Sequence, residues 1–235
     1  MDQQGIDRAV LVNSASPEVT GYPTGLNAVA AKYAGADPKR LISCGSLHPK
    51  HTRNVLADVE EIIRLGLRLI KIHPPHQLFF PNDYLKGVKE LEILYRAAEA
   101  NDIPAMFHTD TSIFPGARSK YGDPMALDDV AVDFPRLKII MAHGGRPLWM
   151  DVAFFLVRRH PNVYLDISSI PPSQLLKYFP RLEEIAGKTM FGSDWPGPGV
   201  QDIHDNLDAI QKVPLSSAAK QQILGGTALT IWPQA

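Results

Sequence analysis

Seven short apolar runs, each followed by a stretch with helical spacing, constrain this chain more than any single motif. The runs cover residues 9–13, 41–47, 67–72, 103–108, 137–142, 163–167 and 189–192. They are almost continuously apolar, which suits strands covered on both faces and argues against half-exposed antiparallel ones. Between them, Leu91, Leu94, Tyr95 and Ala98 mark one amphipathic helix, and Leu127, Val130, Ala131 and Phe134 mark another. Leu175, Phe179, Leu182 and Ala186 mark a third. Each approximates the i, i+3, i+4, i+7 spacing of a helix with one buried stripe. Further on, Asp202 introduces a helix along Ile203, Leu207 and Ile210. Ser216 or Ser217 then caps a last helix that Gly225-Gly226 is expected to stop. Strand and helix repeated with right-handed crossovers give a parallel sheet, and the regularity favours a TIM-type (β/α)8 barrel over an open sheet. No linker divides the chain, so residues 1–235 are expected to form one domain.

The strand count is one short. A closed barrel of this type needs eight strands, and the residues ahead of Ala9 read as the tail of a helix. The first strand is the missing one, either truly lost or lying upstream of Met1. Such a strand pairs with both the second and the eighth. Without it, residues 9–13 and 189–192 become edges with unpaired backbone groups. The expectation is an open seven-strand barrel with an exposed seam, able to associate into a homo-oligomer.

Composition narrows the function classes. A formal net charge of -1 gives no electrostatic footprint for nucleic acid or an anionic membrane. The sole cysteine, Cys44, lies in an apolar run, and the N-terminus lacks a basic region followed by an apolar core. No apolar run approaches the ~18 residues of a membrane span. These features lead to the expectation of a soluble, cytoplasmic protein that takes a small-molecule substrate.

Three runs end in a candidate ligand. They are Met106-Phe107-His108, Met141-Ala142-His143-Gly144-Gly145 and Gly192-Ser193-Asp194, the last followed by Trp195-Pro196-Gly197. In a parallel barrel the carboxyl ends of the strands meet on one face, so these groups are expected to surround a common centre. Two imidazoles and a carboxylate suit a divalent metal and a general base.

On these and further segments the chain resembles the amidohydrolase-related family of metal-dependent TIM-barrel hydrolases and decarboxylases. The segments are residues 1–12, Lys71-Ile-His-Pro, Ile103-Pro-Ala-Met-Phe-His108, Ile140-Met-Ala-His143-Gly, Asn162-Val-Tyr-Leu-Asp-Ile-Ser168 and Phe191-Gly-Ser-Asp194-Trp-Pro. The resemblance implies His108 as a metal ligand, His143 as a ligand or substrate-polarising histidine, and Asp194 as ligand and proton shuttle. Lys71 falls where binuclear relatives carry a carboxylated bridging lysine. Its other reading is a basic group for a substrate carboxylate. The family's His-X-His on the first strand has no counterpart here, and His48, His51, His73 and His76 read as loop histidines. Thr227-Ala228 stands where the family often has Asn-Ala.

Arg146 and Trp195, with Arg118, Lys120, Phe114 and Trp149, place basic and aromatic groups near the same strand ends, as a small cyclic or unsaturated carboxylic acid would require. The resulting expectation is a hydrolase that uses a divalent metal, zinc first, to activate water, with Asp194 and His143 catalytic. Lys71, Arg146 and Trp195 would bind substrate. Non-oxidative decarboxylation is the alternative chemistry, and a non-catalytic relative without its metal site is the alternative class.

Overall fold

A computed structural model describes residues 1–22, 26–197, 200 and 202–233. Its strands are β1 (Ala9–Leu11), β2 (Leu41–Ser43), β3 (Gly45–Ser46), β4 (Ile70–Ile72), β5 (Ala105–His108), β6 (Ile139–Ala142), β7 (Val163–Asp166) and β8 (Thr189–Met190). β1 pairs with β2, and β3 to β8 pair in sequence order, every ladder parallel. β2 and β3 are one run interrupted at Cys44. The Cys44 N–H donates to the Leu11 carbonyl at 3.0 Å, and the Gly45 N–H to the Leu69 carbonyl at 2.8 Å. The seven apolar runs therefore make one arc of seven strand positions, with β1 and β8 as its ends.

Alternation along the strands sorts side chains onto two faces. Ile70, Ile72, Phe107, Ile139, Met141, Val163 and Leu165 point outward into the main core, packed under the helices. Ile42, Cys44, Leu69, Met106, Ile140, Ala142 and Met190 point inward and form a separate cluster, closed below by Ile231 and Trp232. By the same alternation Lys71, His108 and Asp166 face inward, one layer nearer the carboxyl ends. The barrel interior is thus apolar below and ionisable above.

The covering helices bury the stripes their spacing predicts. Val55–Arg64 buries Val55, Val59 and Ile62, with the Asn54 side chain accepting from the Ala57 N–H. Lys89–Ala100 buries Leu91, Leu94, Tyr95 and Ala98, and Ala126–Asp133 buries Leu127, Val130 and Ala131. Asp202 caps Ile203–Lys212 through the His204 N–H at 2.6 Å.

Two helix expectations need correction. The third stripe is not one helix: Leu175–Tyr178 ends, and a 3-10 stretch Leu182–Lys188 follows. Pro180 disfavours helical backbone at Phe179, which sits at φ -127, ψ 75. All four apolar residues are buried nonetheless. Nor do Gly225 and Gly226 stop the last helix. After Ser217–Gln221 the chain widens into a π-turn, Gln222–Gly226, and continues as Thr227–Ile231. The wider turn leaves the Ile223 carbonyl free to accept the Phe191 N–H at 2.7 Å.

That bond matters at the seam. The Met190 carbonyl accepts from Ile167 on the β7 side, so the next N–H, on Phe191, points away from β7. It finds the π-turn instead of a strand. Among the described residues β1 and β8 do not pair with each other. Beneath the gap, the Arg8 guanidinium donates to the Trp232 carbonyl at 2.8 Å, and the Trp232 indole N–H to the Arg68 carbonyl at 2.9 Å. No helix among the described residues is long and apolar enough to cross a membrane.

Candidate active site at the barrel mouth

Above the apolar layer, β4 to β7 deliver Lys71, His108, His143 and Asp166 to one mouth. His143 follows the last residue of β6 and takes a left-handed conformation (φ 71), as do Gly144 and Gly145. That turn swings the ring back over the barrel. A Cβ on Gly144 would lie 2.8 Å from the Phe179 ring, so only glycine lets the turn pack here. His143 Nδ1 lies 3.1 Å from the Ser168 carbonyl, which can only accept. With the proton on Nδ1 and given to that carbonyl, Nε2 presents a lone pair; the Ser168 hydroxyl, 3.0 Å from the same nitrogen, is the competing partner that donates to Nδ1 in the other tautomer. Burial first, then the Lys71 charge, pulls the His143 pKa down to about 4, so the ring stays neutral at ordinary pH.

His108 does not stand alone. The His73 ring stacks on it with centroids 3.9 Å apart, His76 stacks on His73 at 3.5 Å, and His143 meets His108 edge-on at 4.7 Å. Burial, then neighbouring histidines, holds His73 and His108 well below the usual imidazole range. Burial, then Lys71, brings His76 to about 4. His76 Nε2 is tied to the Ser112 hydroxyl at 2.7 Å, whereas the buried His73 Nδ1 has no hydrogen-bond partner among the described residues. His73 and His76 occupy loop positions as read, yet they are buried in the mouth. The signal was His73-Pro74-Pro75-His76. Two prolines straight after a strand start a helical turn, Pro74–Gln77, that folds both rings onto β5.

Lys71 is 5% exposed and has no ion-pair partner among the described residues. Burial lowers its pKa, opposed by the Asp194 and Asp166 charges. Asp166, missed by the sequence reading, ends β7. Its Oδ1 accepts the Ser168 N–H at 2.7 Å, and burial pushes its pKa up to about 6. Gly192 lets it fit, since a Cβ there would lie 2.4 Å from Asp166 Oδ1.

Asp194 is placed differently. It is exposed on the open side of the mouth at φ 59, with Oδ2 accepting from the Ser169 hydroxyl at 2.5 Å and its carbonyl accepting the Gly197 N–H at 2.6 Å. Of the expected metal set, the structure brings His108 and His143 into contact. Asp194 is near enough for its charge to act on His143, but these three donors do not form a group in which all lie within 4.8 Å of one another. Arg146 is occupied: it donates to the Ser169 carbonyl and, at 2.9 Å, to Asp110 Oδ2. Trp195 is 56% exposed. Phe114 leans edge-on against His76 at 5.2 Å, and the Arg118 N–H donates to the Pro75 carbonyl, so the loop carrying both folds over the histidines.

The donor chemistry fits a divalent cation. His73, His108 and His143 are neutral imidazoles in ring contact, and among the described residues the buried His73 Nδ1 has no hydrogen-bond partner, although the donor atoms of the three do not all lie within 4.8 Å of one another. A second group, Glu18, His48 and His51, lies at the rim, and there the three donor atoms all fall within 4.8 Å of one another. His48 is fully buried, and that burial draws its pKa down to about 4.

Comparison with known proteins agrees with this architecture. The chain is similar to an uncharacterized TIM-barrel protein of Bordetella bronchiseptica, with 25% identity and a TM-score of 0.82 over 100% of this chain and 80% of that one. It is also similar to a 5-carboxyvanillate decarboxylase of Novosphingobium aromaticivorans solved with manganese, at 18% identity and a TM-score of 0.71, covering 99% and 78%. A candidate 2-pyrone-4,6-dicarboxylic acid hydrolase of Pseudomonas putida matches at 19% identity and a TM-score of 0.66, covering 89% and 77%. A search of curated proteins finds no match. The model of the amidohydrolase family matches residues 1–234. With its ionisable groups gathered where parallel strands end, the chain belongs to the amidohydrolase family.

Proposed function

We propose that this protein is a metal-dependent hydrolase of a small organic substrate bearing a carboxylate, working at the barrel mouth. The observation that carries the reading is Lys71: a buried amine with no ion-pair partner among the described residues, beside neutral imidazoles and within the field of Asp194 and Asp166. Burying an unpaired charge costs several kcal/mol, and a substrate carboxylate would offset that cost by pairing with it.

Each remaining group has a task set by its contacts. His108 and His143, already in contact, would hold the metal, and Asp194 would complete the set by moving in toward them from the exposed side. When bound, a divalent cation supplies Lewis acidity that lowers the pKa of water and polarises a carbonyl. With its Nδ1 proton given to the Ser168 carbonyl, His143 would offer Nε2 unprotonated to the reacting group. Asp194 has one oxygen held by Ser169, leaving Oδ1 to accept a proton from water. Arg146 acts at one remove by fastening Asp110 to the loop that carries Ser169. Trp195, exposed beside Asp194, offers an aromatic face to a cyclic substrate.

One observation favours a second reading, non-oxidative decarboxylation. With its pKa raised to about 6, Asp166 keeps a share of its proton near neutrality and could deliver it to carbon as carbon dioxide leaves. Turnover of a panel of cyclic and unsaturated carboxylic acids and their lactones in 18O-labelled water and, in parallel, in D2O separates the two. Hydrolysis puts a solvent oxygen into the product and releases no carbon dioxide. Carbon dioxide release with solvent deuterium on carbon would instead establish the second reading.

A further inference from the structure

We propose that Glu18, His48 and His51 form a second divalent-metal site, on the rim of the barrel and separate from the mouth. Its chemistry, two imidazole nitrogens and a carboxylate, suits a borderline cation of the zinc type. Nothing in the proposed hydrolysis uses these three residues.

Local geometry brings the donors together. His48 and His51 lie three residues apart in a tight turn, in which the His51 and Thr52 N–H groups donate to the His48 carbonyl at 2.9 and 3.0 Å. That spacing puts both rings on one side. They meet edge-on, with centroids 4.4 Å apart. Glu18 comes from a different element, the turn Pro17–Thr20 after β1, and spans the two rings. Its Oε1 contacts His51 Nε2, and its Oε2 lies 3.3 Å from His48 Nε2.

The telling atom is His48 Nε2. The side chain is fully buried, yet among the described residues this nitrogen has no hydrogen-bond partner: the Glu18 oxygen is near but out of line. An unsatisfied buried nitrogen costs roughly 1–3 kcal/mol. A cation between the three donors removes that cost. Metal bonds of about 2.0–2.2 Å separate tetrahedral ligand atoms by roughly 3.3–3.5 Å, and the donors here already lie within 4.8 Å of one another. Glu18 and His51 are 34% and 50% exposed, so an entering ion has a path from solvent and keeps water in the remaining positions. Metal on Nε2 requires the His48 proton on Nδ1, which lies 3.3 Å from the Lys50 N–H. That long contact must give way. The competing state keeps the proton on Nε2 and holds the cluster by hydrogen bonds to Glu18.

Gln77 separates this group from the mouth. Its amide donates to the Ala15 and Leu47 carbonyls at 2.8 and 2.9 Å, while its oxygen accepts the His73 N–H at 3.0 Å. A metal at the rim would tie the segment after β1 to the turn after β3, next to the open end of the sheet.

The test is zinc titration of metal-stripped protein, read by equilibrium stoichiometry and by imidazole nitrogen NMR. In the wild type, the Nε2 signals of His48 and His51 should move together as one equivalent binds. The pair Glu18→Gln and His51→Gln should lose one equivalent and part of the zinc-induced rise in melting temperature. A His108→Ala, His143→Ala variant, emptied at the mouth, should still bind at the rim; if it does not fold, the wild-type comparison decides alone. Unchanged stoichiometry in Glu18→Gln/His51→Gln, or rim imidazole signals that do not respond to zinc, would overturn the proposal in favour of the hydrogen-bonded cluster. Loss of turnover plays no part in this outcome, so it stands apart from the fate of the hydrolase reading.

Discussion

The arc from β4 to β7 and the two ends of the sheet, β1 and β8, obey different physics within one barrel. In the arc almost every strand residue is buried, and each strand has a neighbour on both sides. In β1 all three residues are only half buried. Val12, Val29 and Tyr33, near that end, are 49%, 49% and 68% exposed. The ionisable groups divide in the same way. Lys71, His108, His143 and Asp166 come from the arc and have strongly altered acidities, whereas Asp194, from the β8 end, is exposed. The arc supplies rigidity and a low-dielectric setting, and the open side supplies a solvated carboxylate.

The largest contrast should appear in stability. Ile140→Ala empties a fully buried inward position of β6 and should cost ~2–5 kcal/mol. Val10→Ala, on the half-buried edge, should cost less than about 1 kcal/mol. Chemical denaturation of the two variants measures both, and similar losses would erase the distinction between arc and edge.

Lys71 sharpens the comparison from the side of function. Lys71→Met removes a buried amine that has no ion-pair partner among the described residues, so melting temperature should hold or rise. Binding of a carboxylate substrate should weaken by about 1.5–3 kcal/mol, the worth of a charged hydrogen bond, seen as a raised KM. A variant that melts lower and binds equally well would make Lys71 structural.

A further contrast is gradual and set by pH. The metal-free protein keeps His48, His76 and His143 neutral, with pKa values near 4 against 6.5 for free imidazole. Above 6.5 both folded and unfolded chains leave these rings uncharged, so no penalty exists. As pH falls from 6.5 toward 4 the unfolded chain binds protons that the folded one refuses, and stability declines. Melting temperatures across that window should fall steadily, and a flat profile would show the rings to be less buried than described.

Much of this was legible beforehand, for identifiable reasons. The strand runs stood out because a sheet covered on both faces leaves no polar alternation to blur them. His108, His143 and Asp194 were visible because each ends such a run. Asp166 was overlooked although the same alternation that turns Met106 and His108 inward also turns Tyr164 and Asp166 inward. His73 and His76 escaped because a short proline-led turn, and not a strand, delivers them. The broken helix at Phe179-Pro180 was written in the proline. The π-turn at Gln222–Gly226 was not, since it depends on an N–H from a distant strand.

The central claim is that the mouth of this barrel performs the chemistry, with Asp194 as its base. The most direct measurement is kcat of the wild type and of Asp194→Asn, metal-reconstituted side by side, on whichever carboxylic substrate the wild type turns over. The exposed side chain keeps its shape in that exchange, so the fold should persist while kcat drops by ~10²–10⁴-fold. Equal kcat in the two proteins, with circular dichroism unchanged, would contradict the account.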